Sequence, residues 1–63
     1  MKDAESVQFL IDYLEQSVQE NDEYSVAWVA LQANMEKSSS VEDIRKKLQR
    51  ILESTKAASR FGV

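Results

Sequence analysis

Hydrophobic residues recur at helical spacing in three consecutive segments of the chain. In the first segment, apolar positions follow the i, i+3, i+4, i+7 rule that places them on one side of a helix: Ala4, Val7, Leu10, Ile11, Leu14 and Val18. Phe9 and Tyr13, four residues apart, lie on another side, which either packs on the third helix or meets a partner. The pattern predicts a helix over residues 4–20, capped by Asp3 or Ser6.

The second segment, residues 23–36, is apolar on nearly every side. At about 100° per residue, one stripe of this helix carries its larger side chains: Tyr24, Ala27, Trp28, Leu31 and Met35. The opposite stripe carries smaller ones: Val26, Val29, Ala30 and Ala33. A helix that is hydrophobic all round is normally buried on more than one side. We therefore expect the Trp28 stripe to be core and the small-residue stripe to be covered by another surface.

Polar residues separate the three segments. Asn21 tolerates the left-handed conformation that ends a helix, and Asp22 is a good N-cap for the next one. Because neither Gly nor Pro enforces a break there, one continuous helix from about residue 4 to 36 is an alternative. After a polar loop, Ser40 and Asp43 have the spacing of a capping box.

The third segment predicts an ordinary amphipathic helix over residues 40–57. Its apolar face is formed at regular spacing by Val41, Ile44, Leu48, Ile51, Leu52 and Thr55. We expect residues 58–63 to fray. The apolar face is the natural complement of the second helix, so we expect it to be buried there and not to associate with a membrane.

Six apolar positions of the second and third helices keep a regular spacing: Trp28, Leu31, Met35, Ile44, Leu48 and Ile51. This spacing resembles the hydrophobic pattern of a tetratricopeptide repeat, W-x₂-L-G-x₂-Y followed by Ala, Phe and Ala. Gln32 stands where the repeat has Gly, and Ile44 stands where it has its first small Ala. The resemblance covers about half of the chain and implies a helical hairpin between these two helices. We interpret it as a consequence of general helix packing, without membership of the family.

Length and composition favour a single domain that gains stability by assembly. A chain of 63 residues buries only about 60% of its unfolded surface when it folds. With no Cys and no His, disulfides and the commonest zinc ligands are absent, which leaves oligomerisation as the usual aid to stability. We expect a small all-α fold, either a three-helix bundle or a helical hairpin plus one helix, assembled as a homodimer. Its predicted centre is Trp28, Leu31, Leu10, Leu14, Leu48 and Leu52. Its predicted dimer interface is one of two faces: Val26, Val29, Ala30 and Ala33, or Phe9 and Tyr13.

Charge is divided between the two parts of the chain. Residues 1–36 contain one basic and eight acidic residues, a net charge of −7, whereas residues 37–63 contain seven basic and three acidic residues, a net charge of +4. The third helix carries a basic patch that could contact nucleic acid: Arg45, Lys46, Lys47 and Arg50. Acidic residues stand four positions before Lys46 and Lys47, and the chain is acidic overall at −3, so ion pairs on a solvated face explain the patch better.

Catalytic, metal-binding and cofactor motifs are missing from the sequence. Without His or Cys, a general base would have to be a carboxylate, Lys or Tyr, and the paired acids lie where helix caps and solvated faces are expected. We therefore expect no enzymatic activity, no metal and no cofactor. An apolar run long enough to span a bilayer is also missing, and we expect a cytoplasmic protein.

The leading functional hypothesis is a protein–protein interaction module: a small regulator, adaptor or inhibitor that presents helix surfaces to itself or to another protein. The alternatives are a dimeric nucleic-acid-binding regulator that uses the basic patch, and an assembly subunit of a larger complex.

Overall fold

The chain folds into three α-helices. The computed structural model describes the backbone of residues 3–61 and the side chains of residues 3–57. Within this part of the chain the helices are α1 (Ala4–Gln19), α2 (Glu23–Gln32) and α3 (Val41–Phe61), and no strand is present. The predicted all-α fold with three helices is confirmed. Since α1 and α2 are separate, the alternative of one continuous helix is wrong.

The break between α1 and α2 is made by two polar residues. Asn21 adopts a left-handed backbone conformation with φ of 54°, and the amide of Asp22 donates to the carbonyl of Ser17 at 2.9 Å, which closes α1 in a Schellman motif. Asp22 then caps α2, because its carboxylate accepts the backbone amide of Ser25 at 3.1 Å and the hydroxyl of Ser25 at 2.7 Å. These bonds, the one from the hydroxyl first, lower the pKa of Asp22. The roles predicted for Asn21 and Asp22 are confirmed.

The end of α2 repeats this device. Asn34 is left-handed with φ of 61°, and the amide of Met35 donates to the carbonyl of Ala30 at 2.9 Å. The helix therefore ends at Gln32, four residues before the predicted end at Glu36. Asn34 ends the helix because it tolerates a positive φ, even though the apolar pattern of a helix continues to Met35.

The third helix starts as predicted and is longer than predicted. The hydroxyl of Ser40 accepts the amide of Asp43 at 3.2 Å and caps α3, which begins one residue later. The helix continues to Phe61, so residues 58–61, where we expected fraying, are helical. Residues 62–63 lie outside the described part of the chain.

The core lies between α1 and both other helices. It contains residues from each of them: Leu10, Leu14, Val29, Ala30, Ala33, Ile44 and Leu48. Val7 and Leu52 are buried as well. Four of the predicted central residues are therefore confirmed as core: Leu10, Leu14, Leu48 and Leu52. Each fully buried aliphatic side chain stabilises the fold by about 1.5–3 kcal/mol relative to exposure.

The predicted orientation of α2 is wrong. Trp28 and Leu31, expected at the centre, are 44% and 53% exposed, whereas Val29, Ala30 and Ala33 are completely buried. The distance between packed helices depends on the side chains at the contact. The small residues therefore allow α2 to approach α1 closely, which Trp28 would prevent.

The hairpin implied by the resemblance to tetratricopeptide repeats is not the main contact of the fold. α3 packs chiefly on α1, and α2 and α3 contact each other least of the three helix pairs. The large residues of α2 that would face α3 in such a hairpin are on the surface instead.

Candidate functional site

The side of α2 that turns away from the core continues onto α1 as an exposed apolar surface. We call this surface the aromatic face and define it by Phe9, Tyr13, Tyr24, Trp28 and Leu31. Phe9 is 59% exposed and Tyr24 is 90% exposed, and Tyr13 is half-buried between the two helices. The face therefore consists of large side chains that remain partly or largely exposed.

Aromatic contacts connect the two helices across this face. The rings of Phe9 and Tyr13 stack with centroids 5.9 Å apart and an interplanar angle of 11°. The ring of Tyr13 meets that of Trp28 edge to face, with centroids 5.5 Å apart at 81°. Offset-stacked and edge-to-face pairs at such distances are favourable beyond their burial. Tyr13 therefore joins the α1 part of the face to the α2 part.

A hydrogen-bond chain holds Tyr13 in this position. Its hydroxyl lies 3.0 Å from the Oγ of Ser25, and the hydroxyl of Ser25 donates to Asp22. Since Ser25 has only one hydroxyl proton, Tyr13 must be the donor in the first bond. The side chain at the centre of the aromatic face is thus fixed by the residues that cap α2.

The spacing of the sequence explains why these residues share one surface. Phe9 and Tyr13 are four residues apart on α1, Tyr24 and Trp28 are four apart on α2, and Leu31 follows Trp28 by three.

The exposed area of the aromatic face follows from the exposed fractions of its residues. Aromatic side chains have about 150–250 Å² of surface each, so the exposed fractions amount to on the order of 500 Å² of accessible surface. That area is near the top of the roughly 300–600 Å² found for the largest apolar patch of a typical monomer.

Most of the interface predicted on α2 is instead part of the core. Val29, Ala30 and Ala33 have no exposed surface, and Val26 is half-buried against them, because α1 and α3 of the same chain cover this stripe. These four residues are therefore not an exposed face, and the prediction is corrected. The other two predicted interface residues, Phe9 and Tyr13, do lie on the surface, within the aromatic face.

Three residues of the face were missed because the sequence was read with the Trp28 stripe inside. The missed residues are Tyr24, Trp28 and Leu31. The signal that could have found them is the size difference between the two stripes of α2, because small residues favour the closest helix contacts.

Carboxylates border the aromatic face on α1. Glu5 precedes Phe9 by four residues and Asp12 follows it by three, so both project on this side of α1. Glu20, the C-cap of α1, follows Tyr13 by seven residues and continues the same row. We call these exposed residues the acidic margin. Residues 3–36 contain eight acidic and no basic residues. The face is therefore apolar at its centre and negative at its edge.

Among the described residues, the hydrogen bonds to the acidic margin come from uncharged groups. The amide of Gln8 donates to Asp12 at 3.1 Å, and the amide of Gln16 donates to Glu20 at 3.2 Å. Both ion pairs within the described residues involve Arg45 and carboxylates elsewhere. Within the part of the chain that the structure describes, no ion pair therefore neutralises the acidic margin.

The basic patch predicted on α3 is largely balanced by acidic groups. Arg45 contacts Glu15 and Glu42, each at 2.6 Å, and these contacts, with Glu15 first, raise the pKa of Arg45. The other three basic residues border an open groove of about 450 Å³. Its lining is Met35, Asp43, Lys46, Lys47, Gln49, Arg50 and Glu53. Two carboxylates therefore share the groove with three cations.

Comparison of the chain with protein-family models, with curated proteins and with solved structures found no match. None of the helices between residues 3 and 61 is both long and apolar enough to cross a membrane. In the same part of the chain, no three carboxylates come together as a metal site.

Proposed function

We propose that the protein is a non-enzymatic protein–protein interaction module that binds its partner through the aromatic face. The observation that carries this proposal is an apolar patch of on the order of 500 Å² on a domain that already has a complete core of its own. Tyr, Trp and Phe are enriched in protein interfaces, and Trp and Tyr dominate the residues that contribute most to binding.

The face is also arranged before any partner binds. Tyr13 is held by its hydrogen bond to Ser25 and by its contact with Trp28. Association costs about 0.5–1.5 kcal/mol for each flexible side chain that must be ordered. A side chain that is already fixed avoids this cost, which favours binding through Tyr13.

The homodimer expected from the sequence would use this same face and remains a prediction. An isologous two-fold contact places the same patch of both copies together. It would therefore set two acidic margins near each other, and we expect such a dimer to tighten as salt screens the carboxylates. Sedimentation equilibrium at low and high salt measures this directly.

The alternative of nucleic-acid binding has less support. Arg45 is engaged by two carboxylates, and Asp43 and Glu53 border the groove beside Lys46, Lys47 and Arg50. Binding to duplex DNA at low salt, lost when Lys46, Lys47 and Arg50 are replaced by Ala, would favour this alternative. The other alternative is an assembly subunit of a larger complex with no binding activity of its own, and stable folding in isolation at low concentration would argue against it.

The proposal is tested by affinity capture from an extract of the cells that make the protein. The bait is compared with the variant Tyr24→Ser/Leu31→Gln, which shortens two exposed side chains and leaves the core intact. A control bait, Asp43→Asn/Glu53→Gln, changes two exposed residues of α3. We expect specific proteins to be retained by the wild type and the control and lost with the aromatic-face variant. Equal retention by all three baits, or none by any, would contradict the proposal.

A further inference from the structure

We infer that the partner presented to the aromatic face is a basic amphipathic helix, with apolar residues on one side and Lys or Arg along their edge. This inference rests on the proposed function and adds the chemistry of the partner. The apolar centre of the face favours a partner helix with an apolar stripe. The acidic margin favours positive charge beside that stripe.

The charge of the molecule itself argues for a basic partner over a second copy. Residues 3–36 have eight carboxylates and no basic residue, so two aromatic faces placed together would bring their acidic margins near each other. Like charges across an interface act against the pairing. A partner with Lys or Arg at its edge would turn the same carboxylates into attractive contacts.

Neither ion pair among the described residues involves the acidic margin. Arg45 pairs with Glu15, which follows Tyr13 by two residues and therefore projects about 160° away from it around α1. Lys37 borders a groove beside Val18, which follows Tyr13 by five residues and projects about 140° away. Arg45 and Lys37 thus approach α1 on sides that point away from Tyr13.

The dimensions of the face suit a helix of a few turns. Tyr24 and Leu31 are seven residues apart, which corresponds to about 10 Å along α2. A helix laid on this surface would reach it with residues at i, i+3, i+4 and i+7, which is the usual pattern of helix-in-groove recognition. Tyr13, between α1 and α2, would contact the same stripe from the side that carries the acidic margin.

Trp28 provides the measurement, because it is the only Trp of the chain and lies within the face. The probe is a synthetic helix of about 14 residues with Leu at i, i+3, i+4 and i+7 and Lys at the remaining positions. The matched probe has Glu in place of every Lys. We expect saturable binding of the Lys peptide at micromolar concentration, with a blue shift of Trp28 emission, and no such change with the Glu peptide.

Charge variants separate the acidic margin from general acidity. We expect Asp12→Asn/Glu20→Gln to weaken binding of the Lys peptide by about threefold to tenfold. The control Asp43→Asn/Glu53→Gln removes the same charge from α3 and should change binding by less than about twofold. Binding should also weaken as salt rises from about 50 to 500 mM. The replaced residues are all exposed, and circular dichroism confirms that each variant is folded.

Each further outcome counts against a specific part of the inference. Equal binding of both peptides, or equal effects of both charge variants, would overturn the basic partner. If either of these results is found but Tyr24→Ser/Leu31→Gln still abolishes peptide binding, the aromatic face remains the binding surface and only the basic character of its partner is rejected. A blue shift that grows with protein concentration alone and strengthens with salt would identify a second copy as the occupant. If Tyr24→Ser/Leu31→Gln left binding of the Lys peptide unchanged, both the proposed function and the basic partner would be overturned.

Discussion

The two sides of α2 are both apolar in sequence, yet one side is buried in the fold and the other is exposed. Val29, Ala30 and Ala33 are completely buried, whereas Tyr24, Trp28 and Leu31 are 90%, 44% and 53% exposed. Hydrophobicity alone would favour burial of the larger side chains, since burial is worth more for a larger apolar area. The comparison teaches that the fit between helices decided the orientation. Small residues let α2 pack closely on α1, and the larger apolar side chains were left on the surface.

Matched polar substitutions on the two sides of α2 should have the largest difference in effect. Val29→Asn creates a cavity and buries an amide, and we expect it to cost about 3 kcal/mol or more. That is most of the roughly 3–5 kcal/mol available to a core of this size. Leu31→Asn, on the exposed side, should change stability by less than about 0.5 kcal/mol. Urea denaturation followed by circular dichroism measures both, and similar costs at the two sites would contradict the orientation of α2.

Enlarging the small stripe tests size directly. Ala30→Leu adds three carbons to a fully buried position, and we expect it to destabilise the fold by about 1–3 kcal/mol through overpacking. Gln32→Leu places the same side chain on an exposed position of the same helix and should be nearly neutral. If Ala30→Leu stabilised the protein, close approach of α1 and α2 would not be the reason that the small residues face the core.

The two tyrosines of the aromatic face should differ in how much their hydroxyl groups contribute to stability. Tyr13→Phe deletes the donor to Ser25, and we expect a loss of about 0.5–1.5 kcal/mol. Tyr24→Phe deletes the same group from a residue that is 90% exposed and should have no measurable effect. Thermal unfolding of both variants provides the measurement. Equal stability of the two variants would mean that the hydrogen bond does not hold Tyr13 in place.

The pH dependence of stability should show the smallest effect. Hydrogen bonds from Ser6 lower the pKa of Asp3, and those from Ser25 lower the pKa of Asp22, both below the ordinary 3.8. A carboxyl whose folded pKa is lowered stabilises the fold above its unfolded pKa, and this contribution is lost as pH falls through the folded value. We expect Asp3→Asn/Asp22→Asn, which keeps capping side chains, to lose less stability than the wild type below about pH 4. Urea midpoints across this range test it, and identical pH profiles would contradict it.

Local chemistry made the ends of the helices largely predictable. Asn21, Asp22 and Ser40 act at short range, through their own side chains or their tolerance of a positive φ, and each was identified from the sequence. Asn34 does the same at the end of α2 and was overlooked because the apolar pattern continues to Met35. Ser17 was unremarkable in sequence and is nevertheless buried, since its hydroxyl is satisfied by the carbonyl of Tyr13 at 2.7 Å.

The candidate site was less predictable because it depends on how the helices are rotated. Phe9 and Tyr13 were identified from their spacing, but the sequence does not specify whether α2 turns its large or its small stripe to α1. An ion pair such as that of Arg45 with Glu15 joins residues 30 positions apart and likewise depends on that packing.

The sequence by itself determined that this protein has three helices, that α1 and α3 each have one main apolar stripe, and that α2 has two apolar stripes. Those properties follow from the period of the helix and from capping groups that act within a few residues. Only the tertiary structure decided that Val29, Ala30 and Ala33 face inward and that Trp28 lies on the surface. The physical reason is that packing depends on the shape of both partners, which no single helix carries in its own pattern.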